Sequence, residues 1–400
     1  MKNTLIVLLF CLLSTAAKAD NFKKVQAVAK LKNKDFCIQL PVEIIDNKYV
    51  LPAVRIKGSK KMYRFLLDTG CQSGCISTEI YKELGLSAFF SDSISDGISK
   101  KAADFSFIDL SFNGLSFEKV GVSVHTKKEL NSAVSCSQID GVIGYNLMRA
   151  CVWSFDHNEL TVTDDVDHLN NIGQKQKEKI SNGTIPLIVG AFVDGFGATM
   201  LFDLGDNGTF EVRNSMLKYL RKKELTKGKG SLYSTVIGEI QDTAALKLVK
   251  TPGFRFQNDT LKNAITYVGT SSVCSIGAGI LNYYNLTFDF PKRNLYVKPI
   301  LQDFDETKFI NFGFKYRIDN GEVVCQFVWA NTEAERSNLK PGDQILRINQ
   351  LDLSDTSRYD KCQLKSIIEQ ELSGEEITLS VSGQEKAIVL PKKSLFSCSY

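Results

Sequence analysis

The sequence predicts a mainly β protein in which one β-rich unit occurs twice and a smaller third unit follows. Short runs of β-branched and aromatic residues, separated by Gly, Asn and Asp, dominate residues 42–133 and are typical of strands joined by turns. Landmarks in this stretch recur at a nearly constant offset further along the chain. The pattern changes again near residue 301, where we expect the third unit to begin.

The repeat is anchored on two tripeptides, each of which follows an apolar run. The first is Asp-Thr-Gly at Asp68–Gly70 and the second is Asp-Leu-Gly at Asp203–Gly205. The offset is 203 − 68 = 135 for the Asp, 276 − 143 = 133 for the Ile of an Ile-Gly pair, and 288 − 155 = 133 for the Phe of a Phe-Asp pair. A register that drifts by so little indicates an internal duplication.

Length and charge exclude several classes of protein. A chain of 400 residues is too long for one ordinary core and should divide into two or three domains. The net charge of +4 comes from 49 basic and 45 acidic residues that are scattered along the chain. Because no basic block with interleaved aromatic residues is present, the sequence does not favour nucleic-acid binding.

The first residues have the pattern of an export signal. Lys2 gives a positive start, Leu5–Leu13 an apolar stretch, and Ala17–Ala19 a small-x-small cleavage site. The alternative, a membrane anchor, is less favoured because the run is shorter than the ~20 residues that span a bilayer. No later segment is apolar enough to span. We therefore expect an exported protein, periplasmic or secreted, without a membrane span in the mature chain.

Cysteine and histidine usage gives no sign of a metal or a cofactor. Ten cysteines, nine after removal of the signal, are compatible with an oxidising compartment, but the odd number leaves a thiol unpaired and no pairing follows from the spacing. The mature chain has three histidines, His125, His157 and His168, and none is spaced with cysteines as in a zinc site.

Domain boundaries follow from changes in composition. The stretch from Asn170 to Gly183 is polar and is typical of a linker. A short helix is predicted at Thr78–Leu84, where Ser77 or Thr78 can form the N-cap, and its counterpart in the second copy is Asn214–Lys222. We expect a signal at 1–19, a first copy at 20–165, a linker at 166–182, a second copy at 183–300, a linker at 301–309, a C-terminal region at 310–393 and a tail at 394–400.

On these motifs, residues 42–300 resemble tandem retropepsin-like aspartic proteases, in which each of two pseudo-symmetric β-barrel lobes contributes one Asp-Thr/Ser-Gly turn. The resemblance implies that Asp68 and Asp203 are catalytic and that the protein is an endopeptidase acting on polypeptide substrates. It also implies a set of residues that support the two turns, some in the turns and some in an apolar-Gly segment that crosses beneath each: Thr69, Gly70, Ile143, Gly144, Gly205, Ile276 and Gly277.

The chemistry needs two carboxylates rather than one. Two carboxyl groups about 3 Å apart cannot both ionise cheaply, so they share a proton. The ionised partner takes a proton from water while the protonated partner donates to the scissile carbonyl oxygen. Glycine at the end of each turn lets the backbone approach the opposite loop, which a β-carbon would obstruct.

The second copy departs from the family pattern at Leu204, where the family has Thr or Ser. Thr69 can still reach the backbone N–H of residue 204, so the change removes one or two hydrogen bonds, each worth about 0.5–1.5 kcal/mol. Asp206, just beyond the turn, adds a negative charge that should raise the pKa of the pair. Two alternatives stay open. One is a catalytically inactive pseudo-protease that binds peptides, and the other is a homodimer in which Asp68 pairs with Asp68 of a second chain.

The family geometry also predicts a β-hairpin flap after each Asp. These flaps would be Ser93–Lys101, with Gly97 at its tip, and Ser231–Glu239, with Gly238 at its tip and Tyr233 facing the substrate. Glycine would allow such tips to bend.

Cys71 and Cys75 suggest a rival enzyme with a thiol nucleophile. A catalytic thiolate needs a nearby histidine base, and no histidine is close to this loop in sequence. The resemblance to the aspartic proteases implies that Cys71 stands where the family has a small residue packed under the active site, so we expect a small, buried, apolar role for it.

The segment Leu339–Asn349, with a Pro-Gly-Asp turn leading into an apolar strand, resembles a PDZ domain. The resemblance implies that Phe312, Gly313 and Phe314 form the loop that binds the terminal carboxylate of a C-terminal peptide, which is added to the sheet as a strand. Such a domain would recruit polypeptides to the protease or gate their access. The alternative is another small β-domain with the same turn.

Overall fold

The protein is described by a computed structural model over residues 19–95, 100–132, 138–156, 159–221, 224–230, 234–235, 238–239, 246–256, 259–269, 273–319 and 321–396. The expected signal segment, apart from its last residue, lies outside these ranges, as does the end of the expected tail from residue 397 onward. Within the described ranges no helix is long and apolar enough to cross a membrane.

Strands make up most of the first copy and the connector that follows it: β1 (Lys30–Leu31), β2 (Cys37–Leu40), β3 (Glu43–Ile45), β4 (Lys48–Ile56), β5 (Tyr63–Asp68), β6 (Gly74–Ser77), β7 (Phe90–Ser95), β8 (Lys100–Phe112), β9 (Leu115–His125), β10 (Gly141–Gly144), β11 (Val152–Asp156), β12 (Glu159–Thr163) and β13 (Gln174–Lys175). Three short helices lie among them: α1 (Thr78–Glu83), α2 (Lys127–Ser132) and α3 (Tyr145–Met148).

The second copy is built in the same way: β14 (Leu187–Phe192), β15 (Gly197–Asp203), β16 (Phe210–Arg213), β17 (Glu224–Gly230), β18 (Ser234–Thr235), β19 (Gly238–Glu239), β20 (Leu246–Lys250), β21 (Gly253–Phe256), β22 (Asp259–Lys262), β23 (Ile265–Gly269), β24 (Ser275–Gly277), β25 (Tyr284–Asp289) and β26 (Asn294–Pro299). Its helical segments, and those of the two connectors, are 3-10 turns: Val166–His168, Asn214–Tyr219, Ala278–Asn282 and Thr307–Phe309.

The C-terminal region combines strands with two helices: β27 (Ile310–Asn311), β28 (Phe314–Asp319), β29 (Glu322–Trp329), α4 (Glu333–Arg336), β30 (Ile345–Ile348), β31 (Leu351–Asp352), α5 (Lys361–Glu371), β32 (Glu376–Val381), β33 (Ile388–Pro391) and β34 (Lys393–Ser394). The prediction of a mainly β protein is therefore confirmed.

Local sequence explains the helix that follows each Asp turn. Helix α1 begins where the Ser77 side chain accepts a hydrogen bond from the Ile80 N–H, which satisfies one of the unpaired donors of the first turn. In the second copy Arg213 stands at the corresponding cap position and makes no side-chain cap, and Asn214–Tyr219 forms a 3-10 helix instead of the α-helix expected there.

The two copies share one order of strands around the Asp turns. In the first copy β5 pairs with β10, β10 with β6 and β6 with β9. In the second copy β15 pairs with β24, β24 with β16 and β16 with β23. In both series the first and last pairs are parallel and the middle pair is antiparallel. Each Asp therefore ends a strand that is covered on one side by the apolar-Gly segment of its own copy.

A sheet shared by both copies joins them, with the order β13-β26-β25-β11-β12-β2. At its centre Ser154 of β11 stands opposite Thr287 of β25, and their hydroxyl groups lie 2.8 Å apart. These positions correspond in the repeat, because 154 + 133 = 287. Phe155 stands opposite Leu286 and Trp153 opposite Phe288, so the register exchanges corresponding positions as a local two-fold axis would.

The two connectors, which were predicted as linkers, are packed against the rest of the fold. Strand β13 pairs with β26, and Ile180 is 1% exposed. In the segment 301–309, Phe304 and Phe309 belong to the same apolar core as both copies. Aromatic contacts explain this packing, since the Phe304 ring stacks on Tyr283 with ring centres 4.9 Å apart.

The C-terminal region has its own apolar core, which includes Phe312, Phe314, Leu364 and Ile368. Strands β31-β30-β32-β33 form a separate sheet. Strands β28 and β29, however, extend the sheet of the second copy, because β29 pairs with β17 over Gly228–Gly230. The region is thus attached to the second copy by main-chain hydrogen bonds as well as by the connector.

Candidate active site

Asp68 and Asp203 stand at corresponding ends of β5 and β15. Gly144 lies beside Asp68 in the parallel pairing of β10 with β5, and Gly277 lies beside Asp203 in the pairing of β24 with β15. Ile143 and Ile276, one residue earlier, are 1% and 0% exposed. The supporting segments thus run directly alongside the two aspartates, and their apolar side chains anchor the turns in the core.

Backbone and hydroxyl groups connect the two turns. The Thr69 hydroxyl donates to the Phe202 carbonyl oxygen at 2.6 Å and accepts from the Leu204 N–H at 3.0 Å. Thr69 is fully buried, so both bonds are shielded from water. Leu204 is also fully buried, and its side chain packs in the apolar core. The side-chain link between the turns is therefore made from the first copy.

Each glycine of one turn lies against the carboxyl group of the other. A β-carbon on Gly70 would come 2.5 Å from an Asp203 carboxylate oxygen, and one on Gly205 would come 2.6 Å from the Asp68 carboxyl carbon. Contacts this short mean that a side chain at either glycine would force the opposite carboxyl group to move. The two turns thus approach each other as closely as backbone allows, which brings the carboxyl groups together.

The carboxyl groups of Asp68 and Asp203 share a hydrogen bond. The Cys71 N–H donates to Asp68 Oδ1 at 3.0 Å, and the Gly205 N–H donates to Asp203 Oδ1 at 2.8 Å. Burial raises the pKa of Asp68, and burial together with the charge of Asp68 raises the pKa of Asp203 to about 8. Because the two buried carboxyl groups interact, the pair keeps a proton to a higher pH than two separate aspartates would.

Two further acids lie on the Asp203 side. Burial and the charge of Asp203 raise the pKa of Asp206 to about 6, although the Gly208 N–H donates to this carboxylate at 2.8 Å. Burial, with the charges of Asp206 and Asp203, raises the pKa of Glu211 on β16 to about 8. Sequence reasoning noted Asp206 but missed Glu211. An acidic residue in a short apolar strand directly after the Asp turn was the available signal.

The expectation that no histidine lies near the cysteines of the first turn is wrong. The Cys75 thiol is 3.3 Å from the Ser123 hydroxyl, which is 3.0 Å from His125 Nε2. The parallel pairing of β6 with β9 creates this contact, because it sets Cys75 opposite Ser123. Cys71 is half-buried rather than fully buried.

The residues predicted to bind a peptide C-terminus belong to the C-terminal region and not to the Asp68 and Asp203 turns. In the loop at Phe312–Phe314 both phenylalanines are 6% exposed, and Gly313 has φ +83°, which favours glycine. The Gly313 N–H is bonded to Asn311 Oδ1 at 2.8 Å. This loop opens β28, an edge strand in the order of the described strands.

Hairpins occur where the flaps were predicted. Strands β7 and β8 pair from Phe90 to Ser95, and β18 pairs with β19. Strand β18 of the second copy also lies beside helix α2 of the first copy. Gly97 and Tyr233 lie outside the described residues, so their flap roles stay predictions.

Across the described ranges, no group of three or more His, Cys, Asp and Glu side chains is close enough to hold a metal ion.

Comparison with known proteins was made on sequence and on structure. A family model described as aspartyl protease matches residues 53–147, a segment that contains Asp68 and β10 but ends before Asp203. Among solved structures, the chain is similar to an aspartic proteinase from Irpex lacteus with 11% identity and a TM-score of 0.41, over 66% of this chain and 97% of that chain. No curated protein matches the chain.

Proposed function

We propose that the protein is an aspartic endopeptidase that hydrolyses peptide bonds with water activated between Asp68 and Asp203. The observation that carries this proposal is the shared hydrogen bond between the two carboxyl groups, each of which lies against the glycine of the opposite turn. The similarity of residues 53–147 to aspartyl proteases supports it independently.

The proposed reaction gives the two carboxyl groups different roles. Asp68, as the carboxylate, takes a proton from a water molecule held between the carboxyl groups, while Asp203, whose pKa is raised to about 8, donates its proton to the carbonyl oxygen of the scissile bond. The water oxygen attacks the carbonyl carbon and gives a tetrahedral intermediate. Protonation of the leaving nitrogen then breaks the C–N bond and returns one proton to the pair. No covalent intermediate and no metal is required.

We infer that both carboxyl groups act within one chain, as two lobes of one enzyme. The shared sheet supports this inference, since Ser154 and Thr287 meet at corresponding repeat positions. The contact from Thr69 to the strand before Asp203 supports it as well. A homodimer that pairs Asp68 with Asp68 of a second chain would have to separate the Asp68 and Asp203 turns of each chain, which lie within hydrogen-bonding distance.

One experiment tests the reaction and its main alternative. Asp68→Asn and Asp203→Asn are prepared separately, and cleavage of an unfolded protein is followed from acidic to neutral pH. Each variant should lose about 10²–10⁴-fold in rate, because each removes one partner of the acid–base pair. If the unsubstituted chain does not cleave while it binds peptides, the pseudo-protease is correct. If only Asp68→Asn reduces the rate, a dimer is indicated.

The pseudo-protease alternative depends on Leu204. With no hydroxyl at this position, the two hydroxyl-mediated bonds between the turns are both made by Thr69. Backbone N–H groups nevertheless hold each carboxylate, so the pair keeps its geometry without a second hydroxyl. For this reason we favour the active enzyme.

We propose that the C-terminal region acts as a PDZ-type domain that binds C-terminal peptides and gates the substrate cleft. Its strand β29 pairs with β17, and β17 leads along the chain into the β18–β19 hairpin. A peptide added to the edge strand β28 would therefore be connected to that hairpin through two adjacent strands.

The gating proposal predicts a difference between two peptides of identical sequence. A peptide with a free C-terminal carboxylate should bind and change the cleavage rate of an unfolded protein, whereas the C-terminally amidated peptide should do neither. Binding by calorimetry and the cleavage rate are measured on the full chain. Equal behaviour of the two peptides would contradict the proposal.

The export of the protein likewise stays a proposal, which cell fractionation can test.

A further inference from the structure

The turn that follows Asp68 carries two thiols that the proposed mechanism does not use. Cys71 and Cys75 lie at its two ends, with 3.6 Å between their sulfur atoms, and neither is in a disulfide. The Cys71 thiol also lies 2.7 Å from the Ser73 carbonyl oxygen. The turn therefore holds both sulfur atoms close together on one side of the active-site loop.

Cys75 has the surroundings of an activated thiol. It is 4% exposed and lies at the start of a polar chain that runs through Ser123 to His125, which is 2% exposed. Behind the ring, His125 Nδ1 lies 3.9 Å from a carboxylate oxygen of Glu129. A buried imidazole between a thiol and a carboxylate favours the thiolate, because a negative charge on sulfur stabilises a proton on the ring.

The charges around the two thiols differ in sign. The hydrogen bond from the Cys71 thiol and the nearby His125 hold the pKa of Cys75 well below its usual range. The hydrogen bond to Cys75, burial, and the charges of Asp68 and Asp203 raise the pKa of Cys71 well above it. Cys75 is accordingly the nucleophile of the pair and Cys71 the thiol that stays protonated.

We propose that Cys71 and Cys75 form a reversible dithiol–disulfide pair that hydroperoxides oxidise, and that its redox state controls the Asp68 turn. In the first step the Cys75 thiolate attacks one oxygen of hydrogen peroxide, the O–O bond breaks, and with one proton the products are Cys75 sulfenic acid and water. The Cys71 thiol then attacks the Cys75 sulfur, the S–O bond breaks, and a disulfide and a second water form. Two thiols lose two electrons, and the peroxide gains them.

Oxidation should displace the catalytic loop. A disulfide sets its sulfur atoms about 2.05 Å apart, about 1.5 Å closer than the two thiols lie here. Cys71 cannot move without consequence, since its N–H donates to Asp68 Oδ1 and its carbonyl oxygen accepts from the Tyr145 N–H at 2.8 Å. Gly144 packs against Ser73 with no room for a β-carbon, which limits how the turn can adjust. The oxidised form should therefore be the less active one.

The thiol chemistry can be tested without proteolysis. The fully reduced full-length chain is treated with hydrogen peroxide, and peptides are mapped by mass spectrometry under non-reducing conditions. We expect the peptide that contains both cysteines to lose two hydrogens and to regain them with dithiothreitol. Cys75 should react at least tenfold faster than Cys151, a matched buried thiol whose pKa burial raises to about 12. His125→Gln should slow Cys75 at least tenfold.

Two results of this mapping would overturn the proposal. One is a Cys75 that reacts no faster than Cys151; the other is a peptide that gains oxygen without ever losing two hydrogens. Cys71→Ser adds a check that does not depend on a fold change in rate. In this variant the sulfenic acid at Cys75 should accumulate and react with dimedone, because its resolving thiol is absent.

A second arm connects the pair to catalysis and depends on the proposed function. Peroxide should lower the cleavage rate at least tenfold, and dithiothreitol should restore it. Cys75→Ala should be insensitive to peroxide, whereas Cys151→Ala should respond as the unsubstituted chain does. A disulfide that forms without changing the cleavage rate would overturn the control of the Asp68 turn. If no form of the chain cleaves, the proposed function fails and the thiol mapping still decides the redox chemistry.

Discussion

At the first turn, Asp68 is followed by Thr69, whose hydroxyl bonds to the opposite turn, whereas at the second turn Asp203 is followed by Leu204, which is buried in the core. The backbone is nonetheless equivalent in the two places. A strand ends at each Asp, an apolar-Gly segment runs parallel beside it, and each carboxylate accepts from a backbone N–H. The comparison teaches that backbone geometry, not a symmetric pair of hydroxyl groups, holds the two carboxyl groups together.

The environments of the turns differ in chemistry as well. Thiols and a histidine surround the first, through Cys71, Cys75 and His125. Acids surround the second, through Asp206 and Glu211. The two carboxyl groups are thus placed in unlike surroundings, which is compatible with the separate roles proposed for Asp203 and Asp68.

The largest effect is expected when the backbone contact is blocked. Gly70→Ala and Gly205→Ala each place a methyl group where the opposite carboxyl group lies, so the turns must separate by about 1 Å or more. Displacement of that size can lower the rate of cleavage about 100-fold. Gly197→Ala is a matched control on β15, since its β-carbon would find its nearest neighbour at 3.8 Å. Equal rates in all three variants would show that close approach of the turns is not required.

Removal of the Thr69 hydroxyl, which has no counterpart in the second turn, should have the next largest effect. Thr69→Val keeps the shape and leaves the Phe202 carbonyl and the Leu204 N–H without their partner, which costs about 2–4 kcal/mol when two buried groups lose a bond. We expect a lower unfolding temperature and at least a tenfold slower cleavage. Thr69→Ser retains the hydroxyl and should recover most of the activity. If Thr69→Val has the unfolding temperature and the cleavage rate of the unsubstituted chain, the hydroxyl does not hold the turns together.

Two substitutions at Leu204 test the same comparison at the second turn. Leu204→Ala leaves a cavity in the core and should cost about 2–5 kcal/mol in the free energy of unfolding. Leu204→Thr gives the second turn the hydroxyl of the first, which offsets part of the lost packing. We expect Leu204→Thr to unfold at a higher temperature than Leu204→Ala and to cleave at least as fast as the unsubstituted chain. A slower Leu204→Thr enzyme would mean that leucine is adapted to this active site.

The smallest effect concerns Glu211 and pH. Its pKa is about 8 in the folded chain against an ordinary value of 4.5, so the folded state binds more protons than the unfolded state between these values. The free energy of unfolding therefore falls as the pH rises from about 4.5 to about 8. Glu211→Gln removes this loss and should stabilise the chain by on the order of 2 kcal/mol at pH 8, with little effect at pH 4.

The measurement for Glu211 is the unfolding temperature at both pH values. Glu376→Gln, on β32 of the C-terminal region and exposed, is the matched control and should change neither. If the unfolding temperature of Glu211→Gln changes with pH as that of the unsubstituted chain does, other groups cause the loss of stability.

Much of this arrangement was readable from the sequence because it depends on local pattern. The apolar runs before Asp68 and Asp203 predict strands, and the constant offset predicts that both copies fold alike. The glycines of the turns predict a close backbone approach. The helix predicted at Thr78–Leu84 is found at Thr78–Glu83, and its cap is Ser77, one of the two residues expected there, since a cap depends on residues within one turn.

Other features depend on which strands become neighbours, and strand order is not encoded in local pattern. His125 is 50 residues from Cys75 and meets it only because β6 and β9 pair in parallel. The attachment of β29 to β17 joins positions about a hundred residues apart, as the pairing of Gly228 with Trp329 illustrates. A change of pattern near residue 301 predicted a linker at 301–309, and the structure places Phe304 and Phe309 of this segment in the core that both copies share.

The sequence by itself determined the duplicated β framework and the two aspartates, because period, turn residues and repeat offset are local properties of the chain. Only the tertiary structure decided that Thr69 bonds across to the second turn while Leu204 faces the core, that burial raises the pKa of both aspartates, and that His125 accompanies Cys75. The physical reason is that hydrogen bonds, burial and charge act through space. Their partners are fixed only once distant strands have been brought side by side.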